Sequence, residues 1–275
     1  MEIKTYIVDS FTTEKFKGNP AGVCILENDI SENSMLSIAQ ELGLSETAFI
    51  KKLNGESSFS IRYFSPKMEI PLCGHATLAA GKVLFKDSDS NEISFTNIEN
   101  LNLIVKRHNE EITMEFPVYE TIATKVPLIM LMALGLKKVI NTVFSEKNKI
   151  ILLEIDDSSI LEGLRPDFNA LINSYKNING VLVTAPSNKK EYDFEYRYFW
   201  PWAGTNEDPV TGGVQTFLTK YWSKKINKTK MKAFQSSSRT GYMTVELQND
   251  KVLISSQAVI TFEGTLMGID SLNLK

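Results

Sequence analysis

Few side chains in this 275-residue sequence are suited to acid–base chemistry, since it has only two histidines and two cysteines. His75 follows Gly74 at the start of an apolar, helix-like segment, and Asp208 precedes a second such segment at Gly212. Because a helix N-terminus disfavours protonated histidine, His75 is a candidate neutral hydrogen-bond donor or proton relay. A lone histidine is more often structural, however, and Asp208 is equally explained as a helix-terminal charge.

Glycines open both apolar segments, Gly74 in the first and Gly212-Gly213 in the second. The first amides of a helix have no intrahelical acceptor, and together with the helix dipole they favour anions. Glycine leaves no side chain to block approach to these amides. The pattern therefore predicts carboxylate binding at both helix starts. The alternative is steric, a turn that accepts only glycine.

Glu46 is the third candidate, and the residue pattern alone does not decide its role. It lies between two polar residues in an otherwise apolar stretch, Leu44 to Ile50. A surface glutamate at the start of a strand explains it as well as a catalytic base does. The sequence contains no Cys-x-x-Cys spacing and no phosphate-binding loop, so it predicts neither a metal site nor a nucleotide site.

Alternating and helical hydrophobic spacing predicts the elements that must position these residues. Ser31 is a good N-cap for a helix that runs to Leu42 and ends at Gly43. The other elements that matter for the candidates are strands at Ile3–Phe11 and Ala21–Leu26, a strand after Glu46, and helices from Gly74 to about Phe85 and from about Thr211 to Trp222.

An internal repeat is the most informative feature of the sequence. Arg62-Tyr63-Phe64-Ser65-Pro66 recurs 135 residues later as Arg197-Tyr198-Phe199-Trp200-Pro201. Each copy is followed by an acidic residue, a second proline and a glycine that opens an apolar helix. The acidic residue and proline are Glu69 and Pro71 in the first copy, and Asp208 and Pro209 in the second. The repeat predicts duplication into two similar α+β lobes, with a small-molecule site in the cleft between them.

Composition limits the classes of partner and compartment. With 30 basic and 33 acidic residues the net charge is −3, which argues against non-specific nucleic-acid binding. The N-terminal segment lacks the apolar core of a signal peptide, and the most apolar stretch, Val126 to Leu136, is too short to span a bilayer. We therefore expect a cytoplasmic protein that binds neither nucleic acid nor membrane.

Several motifs together resemble the PhzF family of phenazine-biosynthesis-like proteins. They occur in the family's order over about residues 1 to 260. They are Gly18-Asn19-Pro20-Ala21-Gly22-Val23, Leu44-Ser45-Glu46-Thr47-Ala48-Phe49, Arg62 to Pro66 with Leu72-Cys73-Gly74-His75-Ala76-Thr77-Leu78-Ala79, Glu207-Asp208-Pro209-Val210-Thr211-Gly212, and Gln235-Ser236-Ser237-Ser238-Arg239.

The resemblance implies a fold like that of diaminopimelate epimerase, in which two lobes each wrap a curved, mostly antiparallel sheet around a central helix. We place the lobes at 1–118, joined by about 264–275, and at 119–263. The resemblance also implies a homodimer without a cofactor. In such a protein Glu46 is the general acid/base that takes a proton from a small carboxylated substrate and returns it elsewhere.

The remaining site residues are likewise implied by the resemblance. His75 and Asp208 bind or polarise the substrate, and the helix starts form the carboxylate cradle. The substrate-binding residues implied are Asn19, Ser45, Cys73, Gly74, Thr211, Gly212 and Gly213.

The sequence departs from the family at three places. Gly213 and Val214 stand where many relatives have serine and a small residue. The bulky Trp200-Pro201-Trp202 segment is expected to narrow the cleft. Cys73 lies where related amino-acid epimerases have one of two catalytic cysteines, but Thr211 stands where the second belongs. We therefore interpret Cys73 as a small buried residue.

These departures leave two alternatives to an isomerase. One is an epimerase or racemase of an amino acid derivative in which Glu46 and Cys73 are the two bases. The other is a non-catalytic small-molecule binding protein.

Overall fold

The computed structural model describes residues 2–267, which form eighteen strands, six α-helices and a short 3-10 helix at Pro201–Ala203. The strands are β1 (Ile3–Ser10), β2 (Asn19–Leu26), β3 (Glu46–Lys52), β4 (Ser58–Phe64), β5 (Glu69–Ile70), β6 (Glu92–Thr96), β7 (Asn102–His108), β8 (Glu111–Pro117), β9 (Ile122–Ala123), β10 (Asn141–Ser145), β11 (Ile150–Glu154), β12 (Gly180–Pro186), β13 (Phe194–Trp200), β14 (Thr205–Asp208), β15 (Lys230–Gln235), β16 (Gly241–Gln248), β17 (Lys251–Ser256) and β18 (Ala258–Leu266). The helices are α1 (Glu32–Leu42), α2 (Gly74–Lys86), α3 (Leu128–Leu134), α4 (Ser158–Gly163), α5 (Phe168–Ser174) and α6 (Gln215–Ile226). Among the described residues no helix is long and apolar enough to cross a membrane.

The described chain divides into two compact units, residues 2–115 with 255–267, and residues 116–254. The predicted lobe limits, 118 and 263, lie further along the chain. The difference at the second limit has a clear cause, because β18 pairs antiparallel with β1 from Ser10↔Ala258 to Ile3↔Leu266. Residues 258–263, which the predicted limit places in the second lobe, therefore belong to the first unit. Residues 268–275 of the predicted C-terminal segment lie outside the described part of the chain.

The first unit is built on a mostly antiparallel sheet with two parallel pairs. β1 pairs antiparallel with β2, β2 parallel with β3, β3 antiparallel with β4, β4 parallel with β6, and β6 antiparallel with β7. Helix α2 packs against β1, β2 and β3, and its side chains from His75 to Ala80 are all buried. Burial of a helix on all sides suits the apolar sequence of α2.

The second unit repeats these pairings, which confirms the predicted duplication and the α+β fold class. β10 pairs antiparallel with β11, β11 parallel with β12, β12 antiparallel with β13, β13 parallel with β15, and β15 antiparallel with β16. Helix α6 follows β14 in the chain as α2 follows β5, and it packs against β15 and β16.

The repeated arginines make matching bidentate ion pairs. Arg62 donates to both carboxylate oxygens of Glu69 at 2.7 and 2.6 Å, and Arg197 donates to both oxygens of Glu207 at 2.7 and 2.8 Å. The sequence prediction that matched Glu69 with Asp208 is wrong by one position. Strand register gives the reason, since Phe64 pairs with Glu69 and the equivalent Phe199 pairs with Glu207.

Helix boundaries were predicted well at α1 and less well at α6. The Ser31 side chain accepts from the Ser34 amide at 3.1 Å, and Gly43 ends α1 in the left-handed conformation at φ 64°. By contrast, α6 begins at Gln215 and ends at Ile226, not at about Thr211 and Trp222. The glycine pair before α6 forms a turn, in which the Gln215 amide bonds to the Gly212 carbonyl at 3.0 Å.

Candidate active site

Glu46 is the first residue of β3 and is buried, with 6% of its surface exposed. It lies in register with Ala21 of the parallel neighbour β2, close to where both strands begin. The interpretation of Glu46 as a surface residue is therefore wrong. A carboxylate removed from water in this way needs hydrogen-bond partners.

His75, the second residue of α2, supplies one of these partners. Its Nε2 lies 3.2 Å from Oε2 of Glu46, and both side chains are buried. Ser10, the last residue of β1, fixes the start of the helix by donating its hydroxyl to the His75 carbonyl at 2.8 Å. Burial lowers the pKa of His75 to about 3, so the imidazole is neutral near pH 7. The contact with Glu46 is thus a hydrogen bond to a neutral ring.

The neighbours of His75 identify its tautomer. Nδ2 of Asn19 lies 3.3 Å from Nδ1 of His75, and an amide nitrogen can only donate. Nδ1 is therefore the acceptor, and Nε2 carries the hydrogen that points to Glu46.

The environment of Glu46 favours a base of intermediate strength. Burial raises the pKa of Glu46, while hydrogen bonds from Ser45 and Cys73 oppose that rise. A carboxyl group whose pKa moves toward neutrality can both accept a proton and return it.

Cys73 is the N-cap of α2 and is 8% exposed, which confirms its prediction as a buried residue. Its thiol sulfur also lies 3.3 Å from Nδ1 of His75. The Cys73 carbonyl accepts from the Thr77 hydroxyl at 2.7 Å, and Tyr63 in turn contacts Thr77 at 2.6 Å. These bonds, which reach the buried Tyr63 of β4, fix the start of α2, where the amides of Gly74 and its neighbours have no intrahelical acceptor.

Gly18 determines the path of the chain into Asn19. Its φ is +65°, and a Cβ at this position would lie 2.1 Å from the Ser10 carbonyl oxygen. Only glycine fits such a position. Gly18 and Asn19 belong to the first recognised motif, whereas no sequence pattern indicated that Ser10 bonds to the His75 carbonyl.

Asp208 and Thr211 come together in the second unit. The Thr211 hydroxyl donates to Oδ2 of Asp208 at 2.5 Å, and Asp208 is 7% exposed. Gln235 connects the two backbones, because its side chain donates to the Asp208 carbonyl at 2.6 Å and accepts from the Thr211 amide at 2.7 Å. Ser237 donates to the Pro209 carbonyl at 2.5 Å. Gln235 and Ser237 belong to the last recognised motif, but sequence reasoning gave them no role in the site.

Gly213 is not required for steric reasons. A Cβ built there meets no described atom within 4 Å, and its backbone is not in the left-handed region. The steric explanation is therefore wrong for this glycine.

The bulky Trp200-Pro201-Trp202 segment is partly packed into the second unit. Trp202 contacts the core of that unit and donates to the Tyr175 carbonyl at 3.1 Å.

The structure thus brings the predicted residues together in two groups. Asn19, Ser45, Glu46, Cys73, Gly74 and His75 form one in the first unit, and Asp208, Thr211, Gly212 and Gly213 form the other in the second. Binding of one substrate by both groups stays a prediction.

The fold is similar to that of solved structures that are named as epimerases and racemases. The chain superposes on a probable proline racemase from Agrobacterium radiobacter with a TM-score of 0.63 at 10% identity, covering 99% of this chain and 94% of that one. At such low identity the likeness concerns the fold alone.

Closer matches identify the family. The family model of phenazine biosynthesis-like proteins, PhzC-PhzF, matches residues 8–264. A PhzF-family crystal structure from Enterococcus faecalis matches with a TM-score of 0.90 and 35% identity, over 97% of this chain and 99% of that one. This chain belongs to the PhzF family.

Two curated relatives agree with this assignment. The phenazine biosynthesis-like domain-containing protein 1 of mouse is 38% identical, over 97% of this chain and 99% of its own length. An uncharacterized isomerase of Halalkalibacterium halodurans is 36% identical over the same shares of the two chains. Family membership and these relatives support an isomerase-type activity.

Proposed function

We propose that this protein is a cofactor-independent isomerase that moves a proton within a small carboxylated substrate, with Glu46 as the general acid/base. The observation that carries the proposal is the contact between the buried Glu46 carboxyl and the neutral His75 ring at 3.2 Å. Glu46 has three properties that proton transfer requires. Its pKa is raised by burial, its orientation is fixed by hydrogen bonds, and it lies beside the start of α2 with its backbone amides.

The proton balance is simple. The Glu46 carboxylate accepts a proton from a carbon next to the substrate's conjugated or carboxylated group. The negative charge that develops on the substrate is stabilised by preorganised amides such as those that open α2. The Glu46 carboxylic acid then returns the proton to another carbon, so that no electron acceptor and no net proton is required.

The geometry supports a mechanism with one catalytic base over a mechanism with two opposed bases. Epimerisation by opposed bases needs the substrate carbon between them, which separates the two basic atoms by about 6 Å if each is within hydrogen-bond reach. The ligand-capable atoms of Glu46, Cys73 and His75 all lie within 4.8 Å of one another. Glu46 and Cys73 therefore sit side by side, an arrangement that favours proton transfer on one face of the substrate.

Deuterium uptake tests the proposal without a known substrate. The wild type and the Glu46→Gln variant are incubated in D2O with the small-carboxylate fraction of a cell metabolite extract, and mass spectrometry identifies compounds that gain deuterium. We expect uptake with the wild type and none with Glu46→Gln. The rate should rise with pH through the raised pKa of Glu46, because the ionised form is the base.

A matched control separates chemistry from folding. Glu195 is also buried, but in the second unit, where Ser187 and Lys189 bind it. Glu195→Gln should keep the deuterium uptake. Equal uptake by Glu46→Gln and wild type would rule out Glu46 as the base, and a ligand that binds without any exchange would show a binding protein instead.

A further inference from the structure

The second unit contains a cavity of about 510 Å³ whose described lining residues differ from those of the candidate active site. Its wall comes from the segment before β9, from β10, from the end of β11 and from α6. The α6 residues in the wall are Phe217, Lys220, Tyr221, Lys224 and Lys225, whose spacing places them on one face of the helix. The volume is typical of pockets that hold small molecules.

Part of this wall is apolar or aromatic. Phe217 and Val143 are buried, whereas Ile140 is 55% exposed. Tyr119 and Tyr221 add two further aromatic rings. An apolar ring system in the cavity would cover this surface and gain free energy by removing it from water, with additional gain from ring–ring contacts.

The buried charge in the wall is already satisfied. Glu154 is 1% exposed, and Lys225 and the Tyr221 hydroxyl both donate to its carboxylate. The Tyr221 hydroxyl in turn accepts from the Asn141 amide at 3.0 Å. Because these partners compensate the buried carboxylate within the protein, the network fixes the wall and does not require a ligand.

Glu120 differs from Glu154 because solvent reaches it. Its side chain is 69% exposed and contacts two lysines one turn apart on α6, Lys220 in a direct ion pair and Lys224 at 3.9 Å. Lys220 is only 26% exposed, so its ammonium group is held at the cavity. Exposed ion pairs contribute little to stability, so Glu120 can move into solvent at small cost. Glu120 therefore marks the place where these lysines accept a carboxylate.

We propose that this cavity binds a small aromatic monocarboxylate, whose carboxylate displaces Glu120 from Lys220 and Lys224. The wall holds three lysines and two glutamates, so one additional negative charge neutralises it. The aromatic body of the ligand covers Phe217 and Val143. The proposal does not depend on the proposed function, because different residues line the two sites.

Binding of 2-naphthoate tests the proposal, because this fluorescent probe joins one carboxylate to an aromatic ring system. Calorimetry and probe fluorescence should show saturable binding to the wild type. In methyl NMR spectra the signals of Ile140 and Val143 should shift as the site fills, because aromatic ring currents act over short distances. The uncharged 2-naphthamide and the ring-free acetate should each bind at least about 10-fold more weakly.

Two variants should change the affinity in opposite directions. Lys220→Met removes a donor to the ligand carboxylate, so 2-naphthoate should bind about 10-fold more weakly. Glu120→Gln removes the internal competitor, so the probe should bind about 3-fold more tightly. The first unit offers a matched control in Lys82 and Glu110, which pair at 3.0 Å with side chains 27 and 76% exposed. Lys82→Met and Glu110→Gln should leave the affinity unchanged.

The outcomes separate this site from the candidate active site. Weaker binding to Lys220→Met with tighter binding to Glu120→Gln supports the proposal, and if Lys220→Met does not fold, the Glu120→Gln affinity decides. Absence of saturable binding to the wild type overturns it, as does equal binding of 2-naphthamide. An affinity that falls in Glu46→Gln but not in Lys220→Met also overturns it, because the probe then occupies the candidate active site, and the proposed function stands.

Discussion

Asn19 donates its side-chain amide to Nδ1 of His75 at 3.3 Å, and this contact leaves Nε2 of the ring as the donor to Glu46. The family resemblance implies that Asn19 binds the substrate, which stays a prediction, and the structure adds a partner within the protein. We therefore expect Asn19 to act on the proposed proton transfer as a positioning residue, through the tautomer of His75.

Asn19→Asp should reverse this arrangement. An aspartate can only accept, so it favours a hydrogen on Nδ1 and leaves Nε2 either facing Glu46 as a second acceptor or protonated. We expect the ring-nitrogen NMR signals of His75 to change from those of the Nε2–H tautomer to those of a ring with a hydrogen on Nδ1. Deuterium uptake should fall by about 10²-fold or more.

The control for that experiment is Asn102→Asp, which adds the same charge at the exposed start of β7. His108 gives the reference signal of an exposed ring in the same spectrum. An unchanged His75 tautomer in Asn19→Asp would contradict the positioning role, even if activity fell.

Buried neutral His75 should make folding stability depend on pH. Its pKa falls from 6.5 to about 3 on folding, so between these values the unfolded state binds one more proton than the folded state. This contribution is present above pH 6.5 and is lost as pH falls, by about 1.4 kcal/mol for each pH unit. Urea unfolding at several pH values should show a steeper loss in the wild type than in His75→Gln.

The comparison with His75→Gln is needed because other groups titrate in the same range. Glu46 has its pKa shifted in the opposite direction and is present in both proteins. Its effect on the slope should largely cancel in the difference. Parallel stability curves for the two proteins would mean that His75 is protonated in the folded state.

Much of the fold was predictable because its signals are local. The N-cap Ser31 and the C-terminal Gly43 mark α1, and the Arg-Tyr-Phe repeat marks equivalent strands in the two units. The sequence failed where tertiary pairing overrides local preference. The second strand was predicted to begin at Ala21, but β2 begins at Asn19, because Asn19 and Pro20 pair with Ser10 and Asp9 of β1.

The candidate site was predictable in its members but not in its contacts. The motif resemblance named Glu46 and His75, yet their separation of 3.2 Å depends on how β2, β3 and α2 pack, which no residue spacing encodes. The same holds for the bond from Ser10 to the His75 carbonyl and for the bridging role of Gln235. Contacts between residues distant in the sequence are the part that residue patterns could not supply.

The two repeated ion pairs should differ in their contribution to stability. The Arg197 side chain is 7% exposed and also donates to the carbonyls of Leu161 and Leu164, at 3.1 and 2.9 Å. Arg197→Met leaves these carbonyls and the Glu207 carboxylate without their donor, so we expect a loss of about 3–5 kcal/mol.

Arg62 occupies the equivalent position in the first unit, but its side chain is 22% exposed. Water can replace its bonds more easily, so Arg62→Met should cost only about 1 kcal/mol. Chemical denaturation of the two variants measures the difference. Equal losses would show that burial of the second pair does not govern its contribution.

Two glycines near the candidate site should respond oppositely to substitution by alanine. Gly18 is left-handed, and a Cβ there would lie 2.1 Å from the Ser10 carbonyl oxygen, so Gly18→Ala should destabilise the fold by at least about 2 kcal/mol. It should also displace Asn19 and hence alter the His75 signal. At Gly213 a Cβ meets no described atom within 4 Å, so Gly213→Ala should be neutral or stabilise by about 0.4–1 kcal/mol, through the reduced freedom of the unfolded chain.

Gly213→Ser extends the test to the position where many relatives have serine. The open space around Gly213 accommodates the hydroxyl, so thermal and urea unfolding should match those of Gly213→Ala. A change in which metabolites gain deuterium, with stability unchanged, would show that this position selects the substrate. A loss of stability in both Gly213 variants would contradict the space seen around this residue and would return Gly213 to the steric role that the sequence first allowed.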